Sequence, residues 1–182
     1  MDVRKTLALI ARLRADYPDV PIVIFGYLNP LFYYGYEQFC KDAAAAGGDA
    51  LLVVDLPYEE SDELRQHMTA AGLEFIPLIA PTTPTERAKD ILTNAGGFVY
   101  YIMVTGVTGT RAADATDVKE HVDRLRTCTD LPIAVGFGVA SGEQAKAVGD
   151  AADAVVVGSA LINAAREDRL VELVDDLHAA LG

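Results

Sequence analysis

Two glycine-containing junctions near the end of the chain have the residue types that suit a phosphate group. Gly136-Phe137-Gly138 follows the apolar run Ile133–Val135, and Gly158-Ser159-Ala160 follows the apolar run Ala154–Val157. Each junction leads into a predicted helix, the first of which is opened by Ser141. Glycine lets the backbone approach an anion, and the first amides of a helix are unpaired donors with a favourable dipole. The pattern favours an anion site, while glycines that only turn the chain tightly are the alternative.

Asp55 is the carboxylate that stands directly at the end of a predicted strand. In a dry pocket its pKa would rise and it could serve as a general base. It could equally accept hydrogen bonds from amides at the start of the helix beginning at Tyr58, and Pro57 just after it favours that role. Spacing alone does not separate the two interpretations.

Other strand ends carry tyrosines and a polar loop. Tyr27 and Tyr100 could line an aromatic substrate pocket or be ordinary amphipathic wall residues. Thr108 and Arg111 could close over a bound ligand or simply lie in solvent. The histidines fall in predicted helices instead, at His67, His121 and His178.

The bulk composition limits the class of protein. The chain has 182 residues, 51% of them hydrophobic and 23% charged, as expected of one globular domain at residues 1–182. A net charge of −12 argues against binding to nucleic acid or to an anionic membrane. Neither a membrane-spanning run nor a signal peptide is evident, which predicts a cytoplasmic protein. The two cysteines, Cys40 and Cys128, have no metal-type spacing and are expected to be free thiols.

Strands alternate with helices along the whole sequence, which predicts βαβ units and a parallel sheet. Pro77 lies inside the predicted strand at residues 75–79, where a proline cannot donate a hydrogen bond to a neighbouring strand. Thr83 and Glu86 have the spacing of a capping box, which predicts that a helix begins at Pro84. Two loops are predicted, at Tyr27–Pro30 and at Val104–Ala115. The six predicted strands are Ile22–Phe25, Ala50–Val54, Phe75–Ile79, Phe98–Met103, Ile133–Val135 and Ala154–Val157. The predicted helices are Val3–Asp16, Tyr36–Ala46, Tyr58–Ala71, Pro84–Ala95, Asp117–Cys128, a helix from Ser141, one after Ser159, and Val171–Leu181.

Several short motifs, taken together, resemble the tryptophan synthase alpha chain family. They are Tyr27-Leu28-Asn29-Pro30-Leu31-Phe32, Asp55-Leu56-Pro57 with Glu59-Glu60, Gly106-Val107-Thr108-Gly109, Gly136-Phe137-Gly138 and Gly158-Ser159-Ala160. The resemblance implies an α/β fold of the (β/α)8 TIM-barrel family, of which about six βα units are present here. It also implies a lyase without a cofactor, which cleaves indole-3-glycerol phosphate into indole and glyceraldehyde 3-phosphate. The implied partner is the tryptophan synthase beta chain, in an alpha2-beta2 heterotetramer.

The resemblance assigns roles to individual residues. Thr108 would hydrogen-bond a catalytic aspartate when its loop closes. Tyr27 and Tyr100 would flank the indole end of the substrate. The substrate phosphate would be bound by Gly109, Phe137, Gly138, Gly158 and Ser159. Residues towards the beta-chain interface would be Asn29, Asp55 and Pro57, so that Asp55 would be a contact or orienting residue and not the general base.

In the family, the catalytic glutamate and aspartate belong to the second barrel strand and the loop after it. The sequence begins in the following helix, so these carboxylates would lie upstream of Met1 and the barrel would lack its first two strands. Little or no lyase activity is expected of the chain as given. The alternatives are a non-catalytic module that binds a phosphate ligand and a beta chain, or another phosphate-binding barrel enzyme.

Overall fold

The computed structural model of the chain describes residues 2–103, 115–136 and 138–182. The predictions for Thr108, Gly109, Arg111 and Phe137 lie outside these residues. The described residues divide into two compact units. The first ends at Pro77 and includes the segment Asn94–Gly97, and the second comprises Leu78–Thr93 and the described residues from Phe98 onward.

The first unit alternates helices with short parallel strands. Its elements are α1 (Val3–Asp16), β1 (Val23–Gly26), α2 (Leu28–Tyr34), α3 (Tyr36–Ala45), β2 (Ala50–Val53), a 3-10 helix (Tyr58–Glu60), α4 (Asp62–Ala71) and β3 (Glu74–Phe75). The strands are parallel in the order β1-β2-β3, with Gly26 paired to Val53 and Leu51 to Phe75. All four residues of β2 are buried, as expected of a parallel strand covered on both faces.

The second unit continues the same alternation. Its elements are β4 (Leu78–Ile79), α5 (Thr85–Leu92), β5 (Val99–Ile102), α6 (Ala115–Arg126), β6 (Ile133–Gly136), α7 (Gly142–Gly149), β7 (Ala154–Val156), α8 (Ser159–Arg166) and α9 (Leu170–Leu181). The strands are parallel in the order β4-β5-β6-β7. The four residues of β6 are buried. Among the described residues, no helix has the length and apolar character that crossing a membrane requires.

The six predicted strands are all present, but the one predicted at Phe75–Ile79 is divided. Phe75 ends β3 and pairs with β2, whereas Leu78 begins β4 and pairs with β5. Pro77 lies between them and has no N–H to donate to a strand ladder. The sequence reasoning was right that this proline disturbs the strand.

The predicted loop at Tyr27–Pro30 is wrong, because helix α2 begins at Leu28. Pro30 is the third residue of that helix, where a missing N–H costs no intrahelical hydrogen bond. The helix ends at Gly35, whose φ of 88° few other residues adopt.

Two further local predictions need correction. The helix predicted from Tyr58 is interrupted at Ser61, which is fully buried and donates its hydroxyl to the Tyr58 carbonyl at 2.6 Å. The expected cap by Thr83 is absent at α5: the residue before the helix is Pro84, and the Thr83 hydroxyl accepts from the Ala80 amide at 3.2 Å. In both places a hydroxyl hydrogen-bonds nearby backbone and competes with the helix.

Arg14 ties together the loops that lead into β1 and β2. Its guanidinium donates to the carbonyls of Pro18 at 2.6 Å, Val20 at 3.0 Å and Gly47 at 2.8 Å. It also pairs with the Asp49 carboxylate at 2.5 Å, and only 23% of its side chain is exposed. One cation therefore satisfies carbonyls from two separate loops.

The carboxylate before β2 has a counterpart before β7. Asp49 accepts from the backbone amide of Ile22 at 2.6 Å, one residue before β1. In the second unit Asp153 accepts from the amide of Ile133, the first residue of β6, at 2.9 Å and pairs with Arg126 at 3.1 Å. Each aspartate thus links the amino-terminal ends of two neighbouring parallel strands.

Candidate functional site

The two glycine junctions lie at the same edge of the second sheet. Strands β6 and β7 are parallel, and Gly136 at the end of β6 pairs with Val156 at the end of β7. Gly138 comes two residues after Gly136, and Gly158 comes two residues after Val156. Because neighbouring strands are about 5 Å apart, both junctions leave the sheet at neighbouring positions.

Both glycines are free of close neighbours within the described part of the chain. A Cβ atom built on Gly138 or on Gly158 would meet no atom of the described residues within 4 Å. Gly138 has a φ of 69°, a conformation that side chains disfavour, and both residues are exposed. The backbone at this edge is therefore accessible to a ligand on its open side.

Helix α8 offers amide donors at this edge. It begins at Ser159, which is exposed, and Gly158 in the capping position provides no side-chain acceptor. The first amides of a helix have no intrahelical partner and attract negative charge. This helix start fits an anion.

Helix α7 is different, because its own neighbours occupy its amino end. The Ser141 hydroxyl accepts from the Gln144 amide at 3.4 Å, and the Gln144 side chain accepts from the Ala140 amide at 2.8 Å. Asp176 of α9 accepts from the Gly142 amide at 2.6 Å. Of the two helix starts that the sequence suggested, only that of α8 keeps its amides available among the described contacts.

Tyr100 lies beside the same strand edge, on β5 next to β6. Its side chain is half-buried, and burial raises the pKa of its phenol. A Cβ atom built on Gly136 would lie 2.4 Å from the Tyr100 hydroxyl oxygen. Tyr100 therefore packs across the position where β6 has no side chain. The sequence interpretation included Gly136 in a glycine junction but did not predict this contact with Tyr100.

The adjacent Tyr101 has a structural environment. Its side chain is fully buried, its hydroxyl has no hydrogen-bond partner among the described residues, and burial raises the pKa of its phenol to about 12. Its ring lies 5.7 Å from the imidazole ring of His121 on α6. His121 lies in a helix, as predicted, but its ring packs against a buried tyrosine instead of lying on a solvated helix face. His67 and His178 lie in α4 and α9.

In the first unit, Asp55 caps a helix, but not the one that the sequence suggested. Its Oδ1 atom accepts from the backbone amide of Leu28, the first residue of α2, at 2.8 Å. The alternative in which Asp55 caps the helix beginning at Tyr58 named the right role and the wrong helix. Asp55 follows β2 and Leu28 follows β1, so the parallel pairing of these strands brings the two residues together.

The other predicted residues of the first unit are exposed beside this contact. Tyr27 is 63% exposed, and both Asn29 and Pro57 are exposed. Helix α2 also exposes Phe32 and Tyr33, whose rings meet edge to face at 6.0 Å. The sequence analysis named Phe32 only as part of a motif and did not predict this exposed aromatic pair, because it interpreted the start of the segment as a loop.

Comparisons of the sequence with a family model and with curated proteins indicate the same family. A family model described as tryptophan synthase alpha chain matches residues 1–179. The tryptophan synthase alpha chain of Granulibacter bethesdensis is 47% identical over 172 residues, which are 94% of this chain and 60% of that relative. The corresponding protein of Acidiphilium cryptum is 51% identical over 158 residues, which are 87% of this chain and 57% of the relative.

The structural comparison agrees. A crystal structure of the tryptophan synthase alpha chain from Legionella pneumophila has a TM-score of 0.88 and 30% sequence identity, covering 100% of this chain and 70% of the other. With the parallel β/α units, this match identifies a TIM-barrel family fold. The predicted fold class is confirmed. The chain spans about 60% of the length of the curated relatives that it matches.

Proposed function

Because this chain belongs to the tryptophan synthase alpha chain family, we propose that its residues serve the cleavage of indole-3-glycerol phosphate to indole and glyceraldehyde 3-phosphate. This is a retro-aldol lyase step in tryptophan biosynthesis, and the family carries it out without a cofactor. The substrate is a water-soluble phosphate ester, which agrees with the cytoplasmic location expected from the sequence.

The substrate phosphate binds at the edge formed by β6 and β7. The observation that carries this proposal is the register of these strands, which brings Gly138 and the Gly158-Ser159 start of α8 to one edge. At Gly138 and at Gly158 no atom of the described residues lies within 4 Å of the position of a Cβ. The chain as a whole is strongly acidic, so the anion must be held by local amides. By the family resemblance, Gly109 and Phe137 complete the phosphate site.

Replacement of Gly158 by valine tests the phosphate site. Among the residues that the structure describes, none has an atom within 4 Å of the new Cβ, so the valine side chain would fill space that the ligand would use. We expect Gly158→Val to weaken the binding of glycerol 3-phosphate at least tenfold, measured by titration calorimetry. Ala152→Val, which adds a similar side chain before β7, is the matched control and should bind normally. Unchanged affinity in Gly158→Val would remove this residue from the site.

Tyr100 and Tyr27 serve the indole end of the substrate. For Tyr100, its half-buried ring beside the end of β6 supports this role, and for Tyr27 its exposed ring at the end of β1 does so. Thr108 acts with the loop that closes over the ligand, as the family resemblance implies. We expect Tyr100→Ala to lower the affinity for indole-3-glycerol phosphate more than the affinity for glycerol 3-phosphate.

Proton transfer is the part of the reaction that residues 1–182 do not supply. Asp55 is the carboxylate at a strand end within the described residues, and it already accepts a hydrogen bond from a helix amide. Positioned acids and bases contribute about 10²–10⁴-fold each to such a reaction. The 182-residue chain should therefore bind the substrate and release almost no indole, and release at a rate typical of the family would contradict this proposal.

The protein partner is the tryptophan synthase beta chain, in an alpha2-beta2 complex. The residues that face it are Asn29, Asp55 and Pro57, and all three are exposed. Asn29 lies in the first turn of α2, after β1, whereas Asp55 and Pro57 lie in the loop after β2. Binding of the purified chain to a beta chain, measured by calorimetry, should weaken in Asn29→Ala. Replacement of exposed Glu143 on α7 by alanine is a control that should leave the affinity unchanged.

A further inference from the structure

We propose that Asp55 is a positioning residue for Tyr27: its carboxylate fixes the start of helix α2 and thereby holds the tyrosine that precedes this helix. The inference rests on the proposed function, in which Tyr27 stands at the indole end of the substrate. It gives Asp55 a defined role within the chain besides a contact with the beta chain.

The start of α2 needs an acceptor from outside the helix. Tyr27 is in the capping position and its side chain makes no capping hydrogen bond. The helix has only seven residues, a length that is marginal without tertiary support. Asp55 Oδ1 accepts from the Leu28 amide at 2.8 Å, and its negative charge also suits the positive end of the helix dipole.

The backbone of Tyr27 is bracketed by two hydrogen bonds to consecutive residues of the loop after β2. On one side, the Gly26 carbonyl accepts from the Val54 amide at 3.0 Å. On the other side, the Leu28 amide donates to Asp55. The first bond continues the strand ladder and needs no side chain, whereas the second depends entirely on the carboxylate.

The exposure of Tyr27 makes this bracket important. With 63% of the residue in solvent, packing restricts its ring little, so the position of the ring follows from the backbone on either side. Loss of the Asp55 acceptor would free Leu28 and let the first turn of α2 fray. Tyr27 would then lose its fixed direction, although the sheet beneath it would remain intact.

The test compares three variants of the 182-residue chain. Asp55→Ala removes the acceptor, and Asp55→Asn keeps a carbonyl oxygen at the same place without the charge. Asp2→Ala is the matched control, because Asp2 caps helix α1 by accepting from the Lys5 amide at 2.9 Å. The two alanine variants lose equivalent hydrogen bonds, but only one of these lies beside Tyr27.

Two measurements are made on each variant. Amide hydrogen exchange of residues 27–34 without ligand reports on the start of α2. Calorimetry with indole-3-glycerol phosphate and with glycerol 3-phosphate separates the indole end of the ligand from its phosphate end.

In Asp55→Ala we expect faster exchange at Leu28 and an affinity for indole-3-glycerol phosphate that is lower by about threefold to tenfold, the range expected for one hydrogen bond. The affinity for glycerol 3-phosphate should stay the same. Asp55→Asn should restore most of both properties, and Asp2→Ala should resemble the parent chain in both.

Unchanged amide exchange at residues 27–34 in Asp55→Ala would overturn the positioning role, whatever affinities the calorimetry gives for the two ligands. Equal losses for the two ligands would also overturn it, since they would indicate a general loss of structure. If the parent chain binds neither ligand, the proposed function fails, and the exchange measurement still decides whether Asp55 holds the start of α2.

Discussion

The hydroxyl of Tyr100 lies against Gly136, at a distance of 2.4 Å from the place where a Cβ atom would stand. The two residues belong to neighbouring parallel strands, β5 and β6. A distance below 3.0 Å cannot be accommodated unless one of the two groups moves. Gly136 therefore determines where the Tyr100 ring can lie, and with it the shape of the strand edge that carries the proposed phosphate site.

The first prediction concerns this pair. Gly136→Ala should displace the Tyr100 ring and lower the free energy of unfolding by about 1–3 kcal/mol, as overpacking does. The affinity for indole-3-glycerol phosphate should fall as well. Urea denaturation and calorimetry provide the two measurements.

A double variant distinguishes this contact from a general effect of alanine in β6. Tyr100→Leu removes the ring atoms that Cβ would meet, so Gly136→Ala should cost much less stability in that background. Equal costs in both backgrounds would show that Tyr100 is not the residue that requires glycine at position 136.

The second prediction compares the two arginines at the amino-terminal ends of the strands. Arg14 donates to four backbone carbonyls as well as pairing with Asp49, and only 23% of its side chain is exposed. The Arg126 side chain is 47% exposed and pairs with Asp153. Arg14→Lys should lower the free energy of unfolding by about 2 kcal/mol, because an ammonium group cannot reproduce this fork of donors.

Arg126→Lys is the matched substitution and should cost less than about 1 kcal/mol, as is usual for an exposed ion pair. Urea denaturation of both variants checks the difference. A loss in Arg126→Lys as large as that in Arg14→Lys would contradict the importance of the carbonyl contacts.

The third prediction is that the Tyr101 hydroxyl does not stabilise the fold. It is buried without a partner among the described residues, and an unsatisfied buried polar group is unfavourable. Tyr101→Phe should leave the free energy of unfolding unchanged or raise it by about 1 kcal/mol. Tyr34→Phe is the contrasting control and should be less stable, because the Tyr34 hydroxyl donates to Asp42 at 2.8 Å.

Tyr101 should also contribute to alkaline unfolding. Burial raises the pKa of its phenol from 10.0 to about 12, so the folded state favours the protonated form. The unfolded chain therefore ionises first, and the folded state loses stability relative to it as the pH rises from 10 towards 12. Between these values, Tyr101→Phe should lose less stability than the parent chain, and parallel stability curves would show that Tyr101 ionises as it does in the unfolded chain.

The fourth prediction concerns thiol reactivity. Cys40 is fully buried and burial raises the pKa of its thiol to about 11, whereas Cys128 is partly exposed. At pH 8 the folded chain should react quickly with a thiol reagent at Cys128 and only after unfolding at Cys40, because the thiolate is the reactive form. Mass spectrometry of the labelled peptides locates the labelled cysteines. Rapid labelling of Cys40 in the folded chain would contradict its burial in the hydrophobic core.

The sequence predicted well those elements whose signal is local. The run Ile133–Val135 was identifiable as a strand because a parallel strand covered on both faces leaves a continuous apolar segment, and all four residues of β6 are buried. Helix α1 was identifiable because its apolar residues recur with helical spacing, and the structure gives it the predicted bounds, Val3–Asp16. The family resemblance also depended on short motifs that the sequence contains directly.

The tertiary structure decided the features that depend on contacts between distant residues. Asp55 reaches Leu28 across 27 positions, and Asp176 reaches Gly142 across 34. Neither partner follows from local spacing, since the register of β1 with β2 aligns the first pair and the packing of α9 against α7 aligns the second. For this reason the sequence alone determined most of the strands and helices and the glycines that follow them, but not helix α2 or the division of the strand at Pro77. Only the folded chain decided which helix Asp55 caps and which helix start remains open to an anion.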